Sequence, residues 1–308
     1  MERTRTERSR PDGSRRIGPY HLITRLDPSG PGQLPVPVRR FIGRSADGDR
    51  TALISAPLDG ADPGRFLVEA DAGCRLLGPW VLPVAELAAP SETPWYAAPY
   101  LPVLPLPVAL AVHGGPLPER TVRALGAALA ETLTGAHAIG ITHAGLSPAS
   151  VLLAWDGPRL TCFGAVRAAA PDGEQRTGLP GLEPGSLAPE QAAGGRPRPP
   201  GDIYGLGAVL AYAATGHSVP DSAELPESLQ SLVARCLTRD AAARPTAPEI
   251  LRALPGASST PMATVLDSAS ALLGPGWLPS RVVAAMARQS AEVLAAEVRT
   301  PITRTARI

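Results

Sequence analysis

Between Leu117 and Gly140 the chain reads LPERTVRALGAALAETLTGAHAIG. Val122, Leu125, Leu129, Leu133 and Ala136 recur there at helical spacing, so the stretch predicts a long helix with one apolar face. The next residues cannot continue it. ITHAGLSPAS carries a glycine and a proline, and it is bounded by VLLAW and RLTCFG, which read as short strands. A buried helix that delivers a loop into a small sheet needs other helices to cover it. The chain offers them at DIYGLGAVLAYAATG, near 226–237 and near 246–254, beyond a Pro/Gly-rich stretch at 171–201.

Upstream the pattern is different. YHLITRL, VRRFIGRS and TALISAPL are short β-like runs separated by DPSGPG and ADGD, as in an antiparallel meander. PGRFLVEADAGCRLL predicts a helix near 63–77, and TPWYAAPYLPVLPLP reads as a strand entering a Pro-rich connector. The expectation is an α+β unit with a small β-rich lobe followed by a larger helical lobe.

Bulk properties exclude several function classes. The formal net charge is +1, too small to recruit nucleic acid or anionic membrane. No apolar run approaches the ~20 residues of a membrane span, and MERTRTERSRPDGSRR lacks the apolar core of a secretory signal. Cys74, Cys162 and Cys236 are scattered, which suggests neither a disulfide framework nor a metal cluster, so a cytoplasmic location is expected. There is no lysine and no asparagine, so any mechanism that requires either is excluded.

The landmarks resemble a known family in both order and spacing. THAGLSPASVLL lies where bacterial Ser/Thr protein kinases of the actinomycete type have HRDLKPxNVLL, and Cys162-Phe163-Gly164 lies where they have DFG. Ala188-Pro189-Glu190 is the family's APE, GDIYGLGAVL matches a helix start at Asp202, and RCLTRDAAARPT carries the late signature ending in Arg244. The resemblance covers roughly 17–254 and implies a bilobal protein-kinase-like fold, with lobes at about 17–101 and 102–254. Residues 1–16 read as an Arg-rich disordered tail, 255–278 as a linker, 279–299 as an amphipathic helix and 300–308 as a tail. The helix would present Val282, Val283, Met286, Val293 and Leu294 on one broad face, either to the large lobe or to a partner. The chain closes on ITRTARI, and no attached sensor domain is expected.

Measured against that family, the chemistry is missing. Ser55 stands for the lysine that holds the nucleotide phosphates, Gly145 for the catalytic Asp, Ser150 for the metal-binding Asn and Cys162 for the main Mg²⁺ ligand. A thiol is a poor ligand for a hard cation. The glycine-rich loop LDPSGPGQL keeps Gly30 and Gly32 but gains prolines and Asp27, whose charge would repel phosphate. Glu69, the family's partner for the lysine, has no cation at Ser55 and reads as a solvated helix residue or a remnant with a new arginine partner. Pro99 and Leu101 still offer the hinge C=O and N–H that an adenine would need. The cofactor expectation is therefore none required, with weak adenine-nucleotide binding left open and Mg²⁺ disfavoured.

What the resemblance retains is structural: Glu69, His143, Phe163, Gly164, Glu190 paired with Arg244, and Asp202 capping its helix and holding the catalytic loop. Thr177 is the activation-segment hydroxyl that another kinase could modify. The leading expectation is a pseudokinase that acts as scaffold or allosteric regulator, with an active kinase or other signalling protein as partner. One alternative is a Ser/Thr kinase or transferase with residual activity, which would need an arginine recruited from elsewhere and carboxylates such as Asp27, Glu69 or Glu183. The other is a non-catalytic nucleotide or small-molecule sensor.

Overall fold

The computed structural model describes residues 16–28, 30, 32–254 and 269–296. Residues 1–15 of the expected 1–16 tail, 255–268 of the expected 255–278 linker and everything from 297 lie outside them, whereas Arg16, expected in the disordered tail, opens the first strand by pairing with the next. In the small lobe, β1 (Arg16–Ile17), β2 (Tyr20–Arg25), β3 (Val38–Ser45) and β4 (Thr51–Pro57) precede α1 (Pro63–Gly73), β5 (Glu86–Leu87) and β6 (Tyr96–Pro99). The strands form one antiparallel sheet in the order β1-β2-β3-β4-β6-β5. Its β3–β4–β6 register sets Arg40 opposite Ser55 and Ser55 opposite Tyr96, one cross-sheet row on one face. Helix α1 starts where predicted because Asp62 accepts from the Arg65 N–H at 2.9 Å and Pro63 needs no donor at the first position.

The large lobe begins with β7 (Leu104–Pro105), α2 (Leu106–His113) and α3 (Glu119–Ala138). It continues through β8 (Val151–Ala154), β9 (Gly157–Leu160), α4 (Ala165–Ala169), α5 (Pro189–Ala192), α6 (Pro199–Thr215), α7 (Glu227–Cys236), α8 (Ala247–Ala253) and α9 (Ser280–Ala295). Strands β7, β8 and β9 make a second small antiparallel sheet. Helix α3 is buried more widely than a single stripe: Ala124, Ala127, Ala128 and Ala130 are inside along with the predicted Val and Leu face. Small side chains allow this, because α6 and α8 pack closely on either side.

Two expectations about the chain's later part change. The second half of the expected linker is packed structure, not a free connector: Trp277 and Leu278 are buried, Trp277 Nε1 donates to Trp155 O at 2.8 Å, and Thr121 Oγ1 donates to Trp277 O at 2.5 Å. Helix α9 buries Val282, Met286 and Val293 but leaves Val283 and Leu294 exposed, so its apolar stripe is narrower than the five-residue face. It spans both lobes. One end packs on α2, while Arg44 of β3 donates to Val293 O at 2.6 Å and Ala296 O at 2.7 Å at the other.

Among the described residues no helix is long and apolar enough to cross a membrane.

Candidate functional site: the interlobe cleft

The loop at 141–150 is held from below by Asp202. This carboxylate is buried and accepts from the backbone N–H groups of His143 and Ala144, both at 2.8 Å, and lies 2.9 Å from His137 Nε2. Asp202 does not cap α6, contrary to expectation. Pro199 and Pro200 start the helix upstream with Arg198 at the cap, which leaves Asp202 in the first turn with its oxygens free for the loop. Gly205, one turn on, lets α6 approach the loop: a side chain there would meet Leu146 O at 2.4 Å.

The loop then pairs with the Cys162-Phe163-Gly164 turn. Gly164 N donates to His143 O at 2.7 Å, and Val166 N donates to Ala144 O at 2.8 Å. The His143 and Phe163 rings are 4.3 Å apart, and His143 Nε2 lies 2.9 Å from Thr161 O, so Nε2 carries a proton. Burial pushes its pKa down to about 4. Further along, Arg244 makes a two-pronged pair with Glu190 at 2.6 and 2.9 Å and also donates to Pro200 O and Thr238 O. These contacts join His143, Phe163, Gly164 and Asp202 beneath the cleft, and Glu190 to Arg244 further along.

Above the frame, the positions that would carry chemistry are turned to other uses. Gly145 has φ +141°, and a β-carbon there would lie 2.7 Å from that of Ala165, so this backbone has no room for an acidic side chain. The Ser150 hydroxyl points back into its own loop, donating to Ser147 O at 2.7 Å and accepting from Ser147 N at 3.0 Å. Cys162 is buried with φ +61°, and burial raises its thiol pKa against the opposing pull of Arg40. Among the described residues no three His, Cys, Asp or Glu side chains gather into a metal site. A serine hydroxyl committed to its own loop and a buried thiol are a poor donor set for Mg²⁺.

Three arginines that the sequence reading did not single out re-pair the remaining charges. Arg40, 4% exposed, donates from Nε and Nη2 to Asp27 at 2.8 and 2.5 Å and from Nη1 to Thr161 Oγ1 at 3.3 Å. Asp27 is thus neutralised, so the repelling charge expected of it is absent. The arginine reaches the cleft from the strand beside Ser55, and the signal was available in the register: VRR put opposite TALIS aligns Arg40 with Ser55. Glu69 takes the second of its two expected roles, a carboxylate with a new arginine partner, and not that of a solvated residue. Its two oxygens each accept from Arg167 Nε at 2.9 Å, and Arg167 also donates to Thr142 Oγ1 at 3.0 Å, which ties α1 to α4 and to the loop. Arg176 is fully buried and staples the activation segment, donating to Gly195 O at 2.8 Å, to Asp172 at 2.9 Å and to Ala170 O at 3.2 Å. Thr177, next to it, is exposed. Glu183 accepts from Gly185 N and the Ser186 hydroxyl as a local cap and does not face Cys162 as a metal ligand would.

At the hinge, Leu26, Leu53, Ala98 and Leu152 are at most 5% exposed and form one apolar cluster with Val103 and Val293. Tyr100 and Leu101 pack against it, and Pro99 is exposed at the end of β6. Gly30 and Gly32 take φ +156° and +78° beyond β2.

No family model matches the chain. It is 33% identical over 261 residues to the probable serine/threonine-protein kinase PkwA of Thermomonospora curvata, which covers 78% of this chain and 34% of that protein. It is 30% identical over 295 residues to the serine/threonine-protein kinase AfsK of Streptomyces coelicolor, covering 87% and 35% respectively. A shorter match, 36% over 169 residues, is to the serine/threonine-protein kinase PknK of Mycobacterium tuberculosis, 54% of this chain and 15% of that one. The chain therefore spans about a third, or less, of the length of these relatives. Sequence and two-lobed architecture agree: the chain is homologous to the bacterial serine/threonine protein kinases and has their fold.

Proposed function

We propose that this chain is a pseudokinase that works by binding, as a scaffold or allosteric regulator in Ser/Thr kinase signalling in the cytoplasm. The observation that carries the reading is Gly145. The position where the resemblance expects a catalytic base has no side chain, and Ala165 fills the space one would need. The other chemical positions support it, since Ser150 is bonded into its own loop and Cys162 is a buried thiol. The intact frame supports a role that needs shape, and the partner would be an active kinase or another signalling protein whose two states it binds unequally. No cofactor is required. An adenine nucleotide would bind weakly through Pro99 and Leu101, because the apolar cluster at the hinge would have to part, and it would bind without Mg²⁺.

A second reading, a Ser/Thr kinase with residual noncanonical activity, is favoured by two observations. The relatives bear the names of serine/threonine kinases, and Arg40 brings a cation to the cleft beside Ser55. The test is transfer of labelled γ-phosphate from ATP, with Mg²⁺ or Mn²⁺, to the chain itself and to a generic protein substrate. The binding reading expects no transfer above that of a heat-unfolded control. Transfer abolished by Arg40→Ala and retained by Thr177→Ala would replace it with the second reading.

A further inference from the structure

A cavity lies outside the cleft, between the segment that follows α1 and the C-terminal half of α3. It holds about 300 Å³, and its walls include Arg75, Leu77, Trp80, Glu131, Gly135 and Ile139. That volume falls at the lower edge of the range usual for small-molecule sites. None of the cleft residues described above lines it, although the buried cluster of Leu76, Val81 and Ala136 in its wall packs against Phe163 of the turn. Leu77 is 86% exposed and Ile139 63% exposed, so the walls leave apolar surface open to water.

Two of the lining residues are not accounted for by the packing of the protein. Trp80 is 6% exposed; its ring lies against Gly157 and 5.9 Å from the Arg159 guanidinium, and its backbone O accepts from Leu160 N at 2.7 Å. So held, its buried Nε1–H has no acceptor among the described residues, whereas the indole N–H of Trp277 donates to Trp155 O. A buried donor without a partner is costly, and an acceptor brought by a ligand removes that cost. Gly135 interrupts the interior of α3, where glycine is less favourable than alanine. In the same helix Gly126 is demanded by packing, since a β-carbon there would meet Leu210 at 2.7 Å, but a β-carbon at Gly135 would meet nothing within 4 Å. What Gly135 preserves is the space of the cavity.

The charges in the walls set the ligand's own. Arg75 pairs with Asp71 at 3.5 Å, Glu131 accepts from the Ala269 N–H at 2.7 Å, and the Thr132 hydroxyl donates to Ala128 O. These polar side chains are therefore engaged, and the one cation and one carboxylate balance. We propose that this cavity is a binding site for a neutral, mainly apolar small molecule whose hydrogen-bond acceptor, such as a carbonyl oxygen, takes the Trp80 N–H. The site is separate from the cleft, and the proposal stands whether or not the cleft transfers phosphate.

The experiment is NMR titration of the full isotope-labelled chain, following its indole and backbone N–H signals, with acetophenone, ethylbenzene and benzoate as probes. The variants are Trp80→Phe, which identifies the Trp80 indole signal by its loss, and Gly135→Leu. Leucine at 135 fills the cavity from a helical position with room for it, which keeps the test available if Trp80→Phe does not fold. Acetophenone should bind and shift the Trp80 indole signal, ethylbenzene should bind without a comparable shift there, and benzoate should not bind. Gly135→Leu should abolish binding of both neutral probes, and Trp80→Phe should weaken acetophenone roughly tenfold relative to ethylbenzene. Four results would each overturn the proposal: no response of the Trp80 signal to acetophenone, binding that survives Gly135→Leu, equal weakening of both neutral probes by Trp80→Phe, or a Trp80 signal that moves on dilution of the protein alone, as it would if a second copy filled the cavity.

Discussion

The floor of the cleft and its rim descend from the same motifs, yet they have been treated differently. In the floor, Asp202 holds the loop backbone, Arg244 holds Glu190, and His143 holds Thr161 through Nε2. In the rim, Asp27 pairs with Arg40 and Glu69 with Arg167, while the Ser150 hydroxyl is absorbed into a local bond. The contrast separates two jobs that one set of motifs usually performs together. Holding the loop in shape depends on backbone donors and buried carboxylates, and none of those contacts uses a group placed to act on a phosphate.

The comparison breaks first if the floor proves dispensable. Asp202→Ala removes the acceptor of two buried loop N–H groups, and Glu190→Ala strands the buried Arg244 guanidinium. Each should cost about 3–5 kcal/mol in urea unfolding at pH 7. A loss under 1 kcal/mol for both would mean that the floor is no frame at all.

The next effect is on pH. His143 is neutral when folded, with its pKa pushed down to about 4 by burial, while the unfolded chain takes up a proton below its ordinary value near 6.5. The stability this histidine allows is complete above pH 6.5 and drains away as the pH falls through that window, by roughly 3 kcal/mol in all. Urea unfolding at pH 7 and pH 4.5 should reveal the slope, and His143→Gln should flatten it.

Putting an acid back into the rim should fail on steric grounds. Gly145→Asp forces a β-carbon against Ala165 at a φ suited to glycine, so a loss of about 1–3 kcal/mol is expected, with no phosphoryl transfer gained. An unchanged stability would show that the loop can reshape around a side chain.

Arg176→Met, read by hydrogen exchange, should loosen the segment 170–195 by roughly 1.5–3 kcal/mol while leaving α3 and α6 protected, since its bonds run only within that segment. Smallest of all, Thr177→Ala should stay within about 0.5 kcal/mol, because the residue is exposed and the neighbouring arginine does the holding.

The lobes were legible from the sequence because period-two and period-3.6 patterns are set by burial, and burial survives the loss of chemistry. The expectations for Ser55, Gly145, Ser150 and Cys162 came from the resemblance, which sets each at a fixed offset from a matched packing residue. The new pairs were not. Arg167 lies 98 residues from Glu69, and only the packing of α1 on α4 brings them together. Arg40 was closer to hand, but seeing it required aligning two strands across a turn rather than reading along one. The helix start at Pro199 was missed because the matched motif began at Asp202, and a motif marks an interaction, not an element boundary.

Helix α9 has a consequence in time. Its clasp on Arg44 joins residues 249 and 252 positions apart in sequence, among the longest loops this chain closes. During synthesis, at about 5–20 residues per second, the sheet carrying Arg44 is complete well before Val293 exists. For roughly ten to forty seconds after the sheet is complete the clasp is absent, and a nascent chain in that interval presents the Leu26–Leu53–Ala98 cluster without Val293. The lobes acquire this tie only after Val293 has been made.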